Sequence, residues 1–252
     1  SFKGDAVVES DHLLAVFSSR EGKAKIYAKG ENAAGKVEVV PLELRAKAAS
    51  ITRFGVLQNS GDEAALDVVF TGEETGKDLS IVFSFGGKSI VEIAPSEDVS
   101  GISLFSPIRY AVVPDFLSDD LILDPQEYPS LKALHIPSAS VLVGLLDGEN
   151  DMLTVTWPAG KQKVRLIPDS KQRESRLIES VDIENDGKNV FVAVLSAAGI
   201  WHEEALKASY LEKDVSIGWK RPFPAKWITQ LSEDKVATTF TFREIRPERF
   251  WR

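Results

Sequence analysis

The sequence predicts one large all-β domain, a β-sandwich or supersandwich of roughly 16 to 20 antiparallel strands over residues 1–252. Three observations support this fold class: period-2 hydrophobic alternation recurs along the chain, turn signals separate the alternating segments, and only one helix is indicated. Of the 252 residues, 43% are apolar and 27% are charged. Such a composition is typical of a folded globular protein, and sandwiches or barrels of this size occur as single domains.

The alternation is clearest in two segments. In Leu153–Trp157 the odd positions are apolar and the even positions are threonine, which indicates a strand buried on one face. Val236–Phe242 follows the same rule. Lys188–Leu195 is apolar on both faces and predicts a central strand covered on each side. Between such segments, turn signals such as 59–62 and 185–188 predict hairpins.

One short helix is predicted from about Glu203 to Lys213. Acidic residues stand in its first turn and a lysine in its last, which complements the helix dipole. Glu203 and Lys207 are spaced i,i+4 and can form an ion pair.

A proline-rich segment separates the two halves of the chain. Five prolines between Pro107 and Pro137 disfavour central strands and predict a long, rigid loop crossing from one sheet to the other. The possible pseudo-halves are 1–106 and 138–252. A similar order of strand, acidic turn, strand, Gly-Lys turn and strand occurs in both, which fits either a duplicated sandwich or the general likeness of β-meanders. Long loops on rigid β scaffolds often carry binding sites.

Composition limits the classes of function. The absence of cysteine excludes disulfides, thiolate metal sites and a cysteine nucleophile. Together with a single methionine, it favours an extracytoplasmic location, secreted or periplasmic. The net charge of −8 disfavours nucleic acid as a partner. No apolar stretch is long enough for membrane insertion. Both ends look like cuts, so neighbouring domains of a longer chain are expected as partners.

Catalytic candidates are few. The chain has three histidines, far apart in sequence and without a zinc-protease spacing. His202 is the best of them, because it stands between an aromatic residue and two carboxylates, of which Glu203 is the nearer candidate. Arg109 and Tyr110, at the start of the proline-rich segment, are weaker candidates. Glycine-rich nucleotide loops and the Gly-x-Ser-x-Gly elbow are missing, so nucleotide-dependent chemistry and the usual serine hydrolase scaffold are not expected.

Aromatic and cationic residues gather near the C-terminus and give candidate ligand-binding residues. Tryptophan faces stack on sugar rings, and arginine and lysine bind hydroxyls or carboxylates. The alternative is that these rings cover a core or an interface with a neighbouring domain. The candidates are Trp201, Trp219, Arg221, Lys226 and Trp227.

Two charged segments complete the set. Asp147, Glu149 and Asp151 alternate in a tight turn and could supply oxygen ligands to calcium, although Asp is also common in turns for conformational reasons. No other cofactor is expected. The alternating Lys161, Lys163 and Arg165 predict a solvated strand face, with an acidic polysaccharide as the alternative reading of the same charges.

The combination resembles the β-supersandwich (galactose-mutarotase-like) domains of exported bacterial proteins that process polysaccharides. The resemblance rests on chain size, on 106–110 followed by the long loop, and on the cationic-aromatic run 219–227. The Asn/Gly/His signatures of an active sugar mutarotase are absent, so no catalytic residue is transferred. The resemblance implies a module that binds a polysaccharide or oligosaccharide, or that supports a neighbouring catalytic domain. The alternatives are a glycan hydrolase or lyase, and a structural interaction domain without a ligand.

Overall fold

The structure is a computed structural model. It describes residues 4–29, 36–86, 89–113, 121–136, 141–147, 151–158, 161–171, 173–196, 226–233 and 236–243, the last two ranges as backbone. The chain divides into two compact units, 1–197 and 198–252. The single domain over the whole chain and its pseudo-halves stay predictions.

The first unit is one antiparallel sheet of 16 strands. Its strands are β1 Asp5–Glu9, β2 Leu13–Ser18, β3 Lys23–Ala28, β4 Lys36–Pro41, β5 Ala49–Ser60, β6 Glu63–Gly72, β7 Asp78–Phe85, β8 Ile90–Pro95, β9 Gly101–Val113, β10 Leu121–Leu123, β11 Leu134–Ile136, β12 Val141–Leu146, β13 Asp151–Thr156, β14 Val164–Pro168, β15 Ile178–Glu184 and β16 Val190–Ser196. Two 3-10 turns, Leu42–Leu44 and Arg173–Ser175, complete its regular structure.

The long strand β9 joins two arms of this sheet. Its first half pairs with β4 and β15, and its second half pairs with β12 and β10. The first arm therefore has the order β1-β2-β3-β4-β9-β15-β14-β11, and the second arm has the order β5-β6-β7-β8-β16-β13-β12-β9-β10. The all-β prediction is confirmed, with 16 strands in this sheet and two more in the second unit.

The sheet curls so that its two arms enclose the core. The fully buried Phe17 of β2 meets three rings of the other arm edge to face, with centroid distances of 5.5 Å to Phe54, 5.1 Å to Phe83 and 6.3 Å to Phe85. Edge-to-face contacts are favoured between aromatic rings because the positive edge meets the negative face. The core is thus made by the inward residues of both arms, as in a sandwich.

The alternation predicted from sequence is confirmed in the core strands. Leu153, Val155 and Trp157 are buried, while the threonines between them are half-buried. β16 is a central strand, paired with β13 on one side and β8 on the other. Its side chains alternate between buried and half-buried, so its second face is less covered than its apolar sequence predicts.

The predicted start of the crossing loop is wrong. β9 continues through Pro107 to Val113, and β10 and β11 also lie in the proline-rich segment. Proline is tolerated because the pairing of β9 with β15 is irregular there, so its missing N–H leaves no gap in the ladder. Its carbonyl still accepts a hydrogen bond of 2.8 Å from the N–H of Asp147.

In the second unit, β17 (Lys226–Glu233) and β18 (Val236–Arg243) form an antiparallel hairpin in unbroken register. β18 confirms the strand predicted at Val236–Phe242. The predicted helix at 203–213 lies outside the described residues. In the described part of the chain, no helix is long and apolar enough to cross a membrane.

Candidate functional site

Most of the predicted site residues cannot be placed. Trp201, His202, Glu203, Trp219 and Arg221 lie outside the described residues. Lys226 and Trp227 open β17, where their backbones pair with Arg243 and Phe242, and their side chains lie outside the description. Their roles stay predictions.

Arg109 and Tyr110 lie in a β-bulge of β9. On the partner strand β12, Leu145 stands opposite Tyr110, whereas the next residue, Leu146, stands opposite Ile108. Arg109 is therefore the extra residue, and a bulge turns consecutive side chains away from strict alternation. The Arg109 guanidinium lies over the Tyr110 ring, with its central carbon 4.2 Å from the ring centroid. The bulge thus brings a cation and an aromatic ring together at adjacent positions.

The Arg109 guanidinium also anchors the turn that follows β10. Its Nη1 donates to Asp124 Oδ1 at 2.7 Å and its Nη2 to Asp124 Oδ2 at 3.3 Å. Asp124 Oδ1 accepts in addition from the N–H of Gln126 at 2.8 Å, an Asx turn. The Gln126 side chain donates to the carbonyl of Glu174 at 2.6 Å. This arrangement fixes the start of the loop between β10 and β11, which we call the 124–133 loop.

A second arginine holds the middle of the same loop. Arg176 is 6% exposed, and its guanidinium donates to the carbonyl of Tyr128 at 2.9 Å and to the carbonyl of Leu131. Its buried Nε has no hydrogen-bond acceptor among the described residues. Sequence reasoning missed this role, because an arginine in the polar stretch 171–176 is typical of a solvated surface.

The anchored loop closes over a small cleft. The cleft has a volume of about 20 Å³, enough for one water molecule and too small for a sugar ring. Tyr128 lines the cleft while 48% of the residue remains exposed to solvent. The other lining residues are apolar apart from Asp124: Leu123, Pro125, Leu131, Leu134, Leu166, Pro168 and Ile178. The accessible feature of this region is therefore the exposed tyrosine beside the cleft, not its interior.

A buried carboxylate organises the outer face of the first arm. Asp182 on β15 is 3% exposed, and its Oδ1 accepts from Ser103 at 2.9 Å and from Ser180 at 3.2 Å. Arg45 brings its Nε to 3.3 Å from the same oxygen. On the other side, Arg165 Nη2 lies 3.7 Å from Asp182 Oδ2. Two cations and two hydroxyls thus compensate one buried charge, as burial of a carboxylate requires.

Arg45 reaches this face from the chain that follows the first 3-10 turn. Its Nη2 donates to Glu179 at 3.1 Å and to Ser180 at 3.1 Å, and its guanidinium carbon lies 5.5 Å from the centroid of the Phe105 ring. The Arg45 side chain is 24% exposed, whereas that of Asp182 is 4% exposed.

The predicted alternation of basic residues and buried apolar residues is confirmed over 163–166. Val164 and Leu166 are buried, whereas Lys161 and Lys163 are exposed and Arg165 is half-buried. His135 on the edge strand β11 stands opposite Arg165 and is exposed.

The calcium candidates are only partly described. Asp147 is exposed. Asp151 is 6% exposed, and its Oδ1 has no hydrogen-bond donor among the described residues. Glu149 lies outside them. In the described ranges, no three carboxylate or histidine side chains converge as metal ligands. Calcium binding stays a prediction.

Comparisons with known proteins do not assign a family. No family model and no curated protein matches the sequence. Among solved structures, the chain is similar to a quadruple mutant of the alpha-N-acetylgalactosaminidase NagBb from Bifidobacterium bifidum, with a TM-score of 0.45 and 9% identity. The match covers 77% of this chain and 36% of that one, so the chain spans about a third of that structure. At this level the similarity carries no argument about function.

Proposed function

We propose that this chain is a carbohydrate-binding or supporting β module of a larger exported protein that processes polysaccharides, and that Tyr128 forms part of its sugar-binding surface. The observation that supports the proposal is the exposed Tyr128 ring on a loop whose backbone is anchored by Arg176 and by the Arg109–Asp124 pair. An oligosaccharide is the proposed ligand.

The physical argument rests on preorganisation. A flat aromatic face offers apolar contact to the C–H groups of a sugar ring, and its hydroxyl supplies a polar edge. A ring on a loop that is already fixed loses little conformational freedom when the ligand binds. Tyr128 meets this condition because its carbonyl accepts from the buried Arg176 and its N–H donates to the Pro125 carbonyl at 3.3 Å.

The C-terminal aromatic residues give a second proposed surface for the same ligand class. Trp219 and Trp227 flank a run with two prolines and three cations, which favours a rigid turn. Trp201, Arg221 and Lys226 belong to this proposal. The two surfaces are distinguished by mutation.

The test is a glycan array of the purified protein, with neutral and uronic-acid glycans side by side, each with and without calcium. We expect retention of one glycan class. Tyr128→Ala should weaken it at least tenfold, or about 1.4 kcal/mol, while Tyr128→Phe retains most of it as the matched control. Because Tyr128 is half exposed, the melting temperature of the Tyr128→Ala variant should stay close to that of the wild type.

Each other outcome assigns the site differently. Binding lost in Trp219→Ala or Trp227→Ala, and unchanged in Tyr128→Ala, would place the sugar on the C-terminal surface. No retention of any glycan would contradict the carbohydrate proposal altogether.

The alternative of a hydrolase or lyase would use His202 and Glu203 with Arg109 or Tyr110. In the described part of the chain, Arg109 donates to Asp124 and lies over the Tyr110 ring, so it positions these groups. An assay of the purified protein on the retained glycan, with His202→Ala beside it, tests this alternative.

The alternative of a structural interaction domain is favoured by exposed apolar residues on β10. Leu121 is 44% and Ile122 is 61% exposed, and exposed large apolar residues are common at contacts with another protein surface. Silence across the glycan array, with tight association to a neighbouring domain of the full-length chain, would support this role.

A further inference from the structure

We propose that Arg165 anchors a subsite on the outer face of the first arm that takes the carboxylate of an acidic sugar. The sugar part of this inference rests on the carbohydrate-binding function proposed above, whereas the anion part stands on the geometry of the arm itself.

The strand register brings the required groups into one row. Arg165 on β14 stands opposite His135 on β11 and opposite Asp182 on β15. Lys163 lies two residues before Arg165, just ahead of β14, and its carbonyl accepts from the N–H of Glu184 at 3.0 Å. Lys163 and His135 are exposed, and the Arg165 side chain is 32% exposed. A ligand in solvent can therefore reach the two cationic side chains and the imidazole beside them.

Arg165 keeps hydrogen-bond donors that no described residue uses. Its one described ionic contact is Nη2 to Asp182 Oδ2 at 3.7 Å, which exceeds hydrogen-bond length. Its Nε is buried and has no acceptor among the described residues. Buried N–H groups are nearly always paired with protein or with ordered water, so the acceptor of this one lies beyond the described residues.

Asp182 orients Arg165 without occupying its donors. The Oδ1 atom of Asp182 accepts from Ser103 and Ser180 and lies beside Arg45, so the carboxylate is held rigidly in place. Its second oxygen attracts the Arg165 guanidinium at longer range. The guanidinium is thus held by charge, while its donors remain available to a ligand.

A carboxylate is the ligand group that fits best. The guanidinium fork matches the two oxygens of a carboxylate with two parallel hydrogen bonds, which an ammonium group does not offer. Lys163 adds a second positive charge. Glu184 stands opposite Lys163 on the neighbouring chain segment, and its negative charge partly offsets that of the lysine. Since the whole chain carries −8, an acidic ligand needs such a local excess of donors in order to bind.

The experiment is an NMR titration of the full chain with glucuronate, with glucose and with sulfate, followed by calorimetry with a glucuronate-containing oligosaccharide. We expect glucuronate, and not glucose, to shift the amide signals of 163–166. Arg165→Gln should weaken glucuronate binding at least tenfold, and Arg165→Lys should restore part of it. The matched control is Arg53→Gln, which removes an exposed strand arginine of the second arm and should stay within twofold of the wild type.

A second variant, Lys163→Gln, separates a loss of ligand binding from a loss of folding. Because Arg165 compensates Asp182, Arg165→Gln could lower stability, whereas Lys163 is exposed and Lys163→Gln should fold normally and weaken glucuronate binding about threefold. Wild-type affinity in both variants would overturn the inference. Shifts with sulfate but not with glucuronate would overturn the carboxylate assignment.

The two proposals fail in different ways. Glucuronate shifts at 163–166 without retention of any oligosaccharide would leave the anion subsite standing and contradict the carbohydrate function. Glycan binding that is indifferent to Arg165→Gln would leave the function standing and contradict the subsite.

Discussion

Arg109 and Asp124 form a two-point ion pair, with Nη1 to Oδ1 at 2.7 Å and Nη2 to Oδ2 at 3.3 Å, that ties the bulge of β9 to the 124–133 loop. Both side chains are about a fifth exposed, so the pair is only partly screened by water. The bulge positions the Arg109 guanidinium, and the ion pair of this guanidinium with Asp124 holds the loop that carries Tyr128.

Replacing the fork by an ammonium should loosen this loop. Arg109→Lys keeps the charge but loses one of the two hydrogen bonds, so we expect a loss of about 1 kcal/mol in the free energy of unfolding. The loss should be local, and amide hydrogen exchange of 124–131 should accelerate more than that of the core strands. Arg20→Lys, in the exposed turn after β2, is the control. Unchanged protection of the loop in Arg109→Lys would show that Arg176 alone holds it.

Removing the charge of Asp182 should be more costly. Asp182→Asn takes away the shared counter-charge of two partly exposed arginines and the charged acceptor of two buried hydroxyls, so we expect a loss of about 2 kcal/mol. Glu179 also pairs with Arg45, but its side chain is 50% exposed. Glu179→Gln should therefore cost less than about 1 kcal/mol. Urea denaturation of the two variants compares them, and equal losses would contradict the role of burial.

The stability of the chain should depend on the ionisation of Glu38. Burial raises the pKa of this carboxyl, but hydrogen bonds and ion pairs with Lys23 at 2.6 Å and Lys36 at 3.2 Å outweigh burial, and the pKa is lowered from its ordinary 4.5. An acid with a lowered pKa in the folded state contributes stability that is complete above its ordinary pKa. That contribution is lost as the pH falls below 4.5 through the folded-state value.

A double-mutant cycle measures this contribution. The coupling free energy between Glu38 and Lys23, obtained from Glu38→Gln, Lys23→Gln and the double variant, should be favourable at pH 7 and decrease as the pH falls below 4.5. Urea denaturation at a series of pH values gives the curve. A coupling that stays constant as the pH falls below 4.5 would mean that the pair does not depend on the carboxylate charge.

The sequence predicts the parts of this protein that depend on neighbouring residues. Alternation of buried and exposed positions is a local property of a strand, so Leu153–Trp157 and Val164–Leu166 reveal their faces directly. The Asp182 cluster is different, because Arg45 and Ser180 are 135 residues apart in sequence. Only the pairing of β15 with β9 brings Ser103 to Asp182. A charged residue in an alternating strand predicts a solvent-exposed face. The distant residues that bury Asp182 cannot be identified from the neighbouring sequence.

Pro107 and Tyr128 show the same limit in the candidate site. Proline predicts a break in a strand, but the irregular pairing of β9 removes the need for its N–H at that point. Proline density correctly indicates an irregular segment after β10, and a single tyrosine in it carries no pattern. What makes Tyr128 notable is the hydrogen bond from Arg176, 48 residues later in the chain.

The turn between β2 and β3 brings the two arms into close contact, and it gives the last prediction. Gly22 has φ +59°, and a Cβ at this position would lie 2.2 Å from the carbonyl oxygen of Ala49 on β5. Gly61 has the same φ in another turn, with no atom within 4 Å of its would-be Cβ. The left-handed backbone conformation alone costs an L-residue about 1 kcal/mol.

Gly22→Ala and Gly61→Ala therefore share the backbone cost and differ in the clash. We expect Gly61→Ala to lose about 1 kcal/mol of stability, and Gly22→Ala to lose about 3 kcal/mol because β5 must also move. Thermal and urea unfolding of the two variants measure the difference. Since the backbone costs cancel, that difference reports how rigidly the arms are held together at this turn. Equal losses would mean that the turn can shift away from Ala49 without strain in the sandwich.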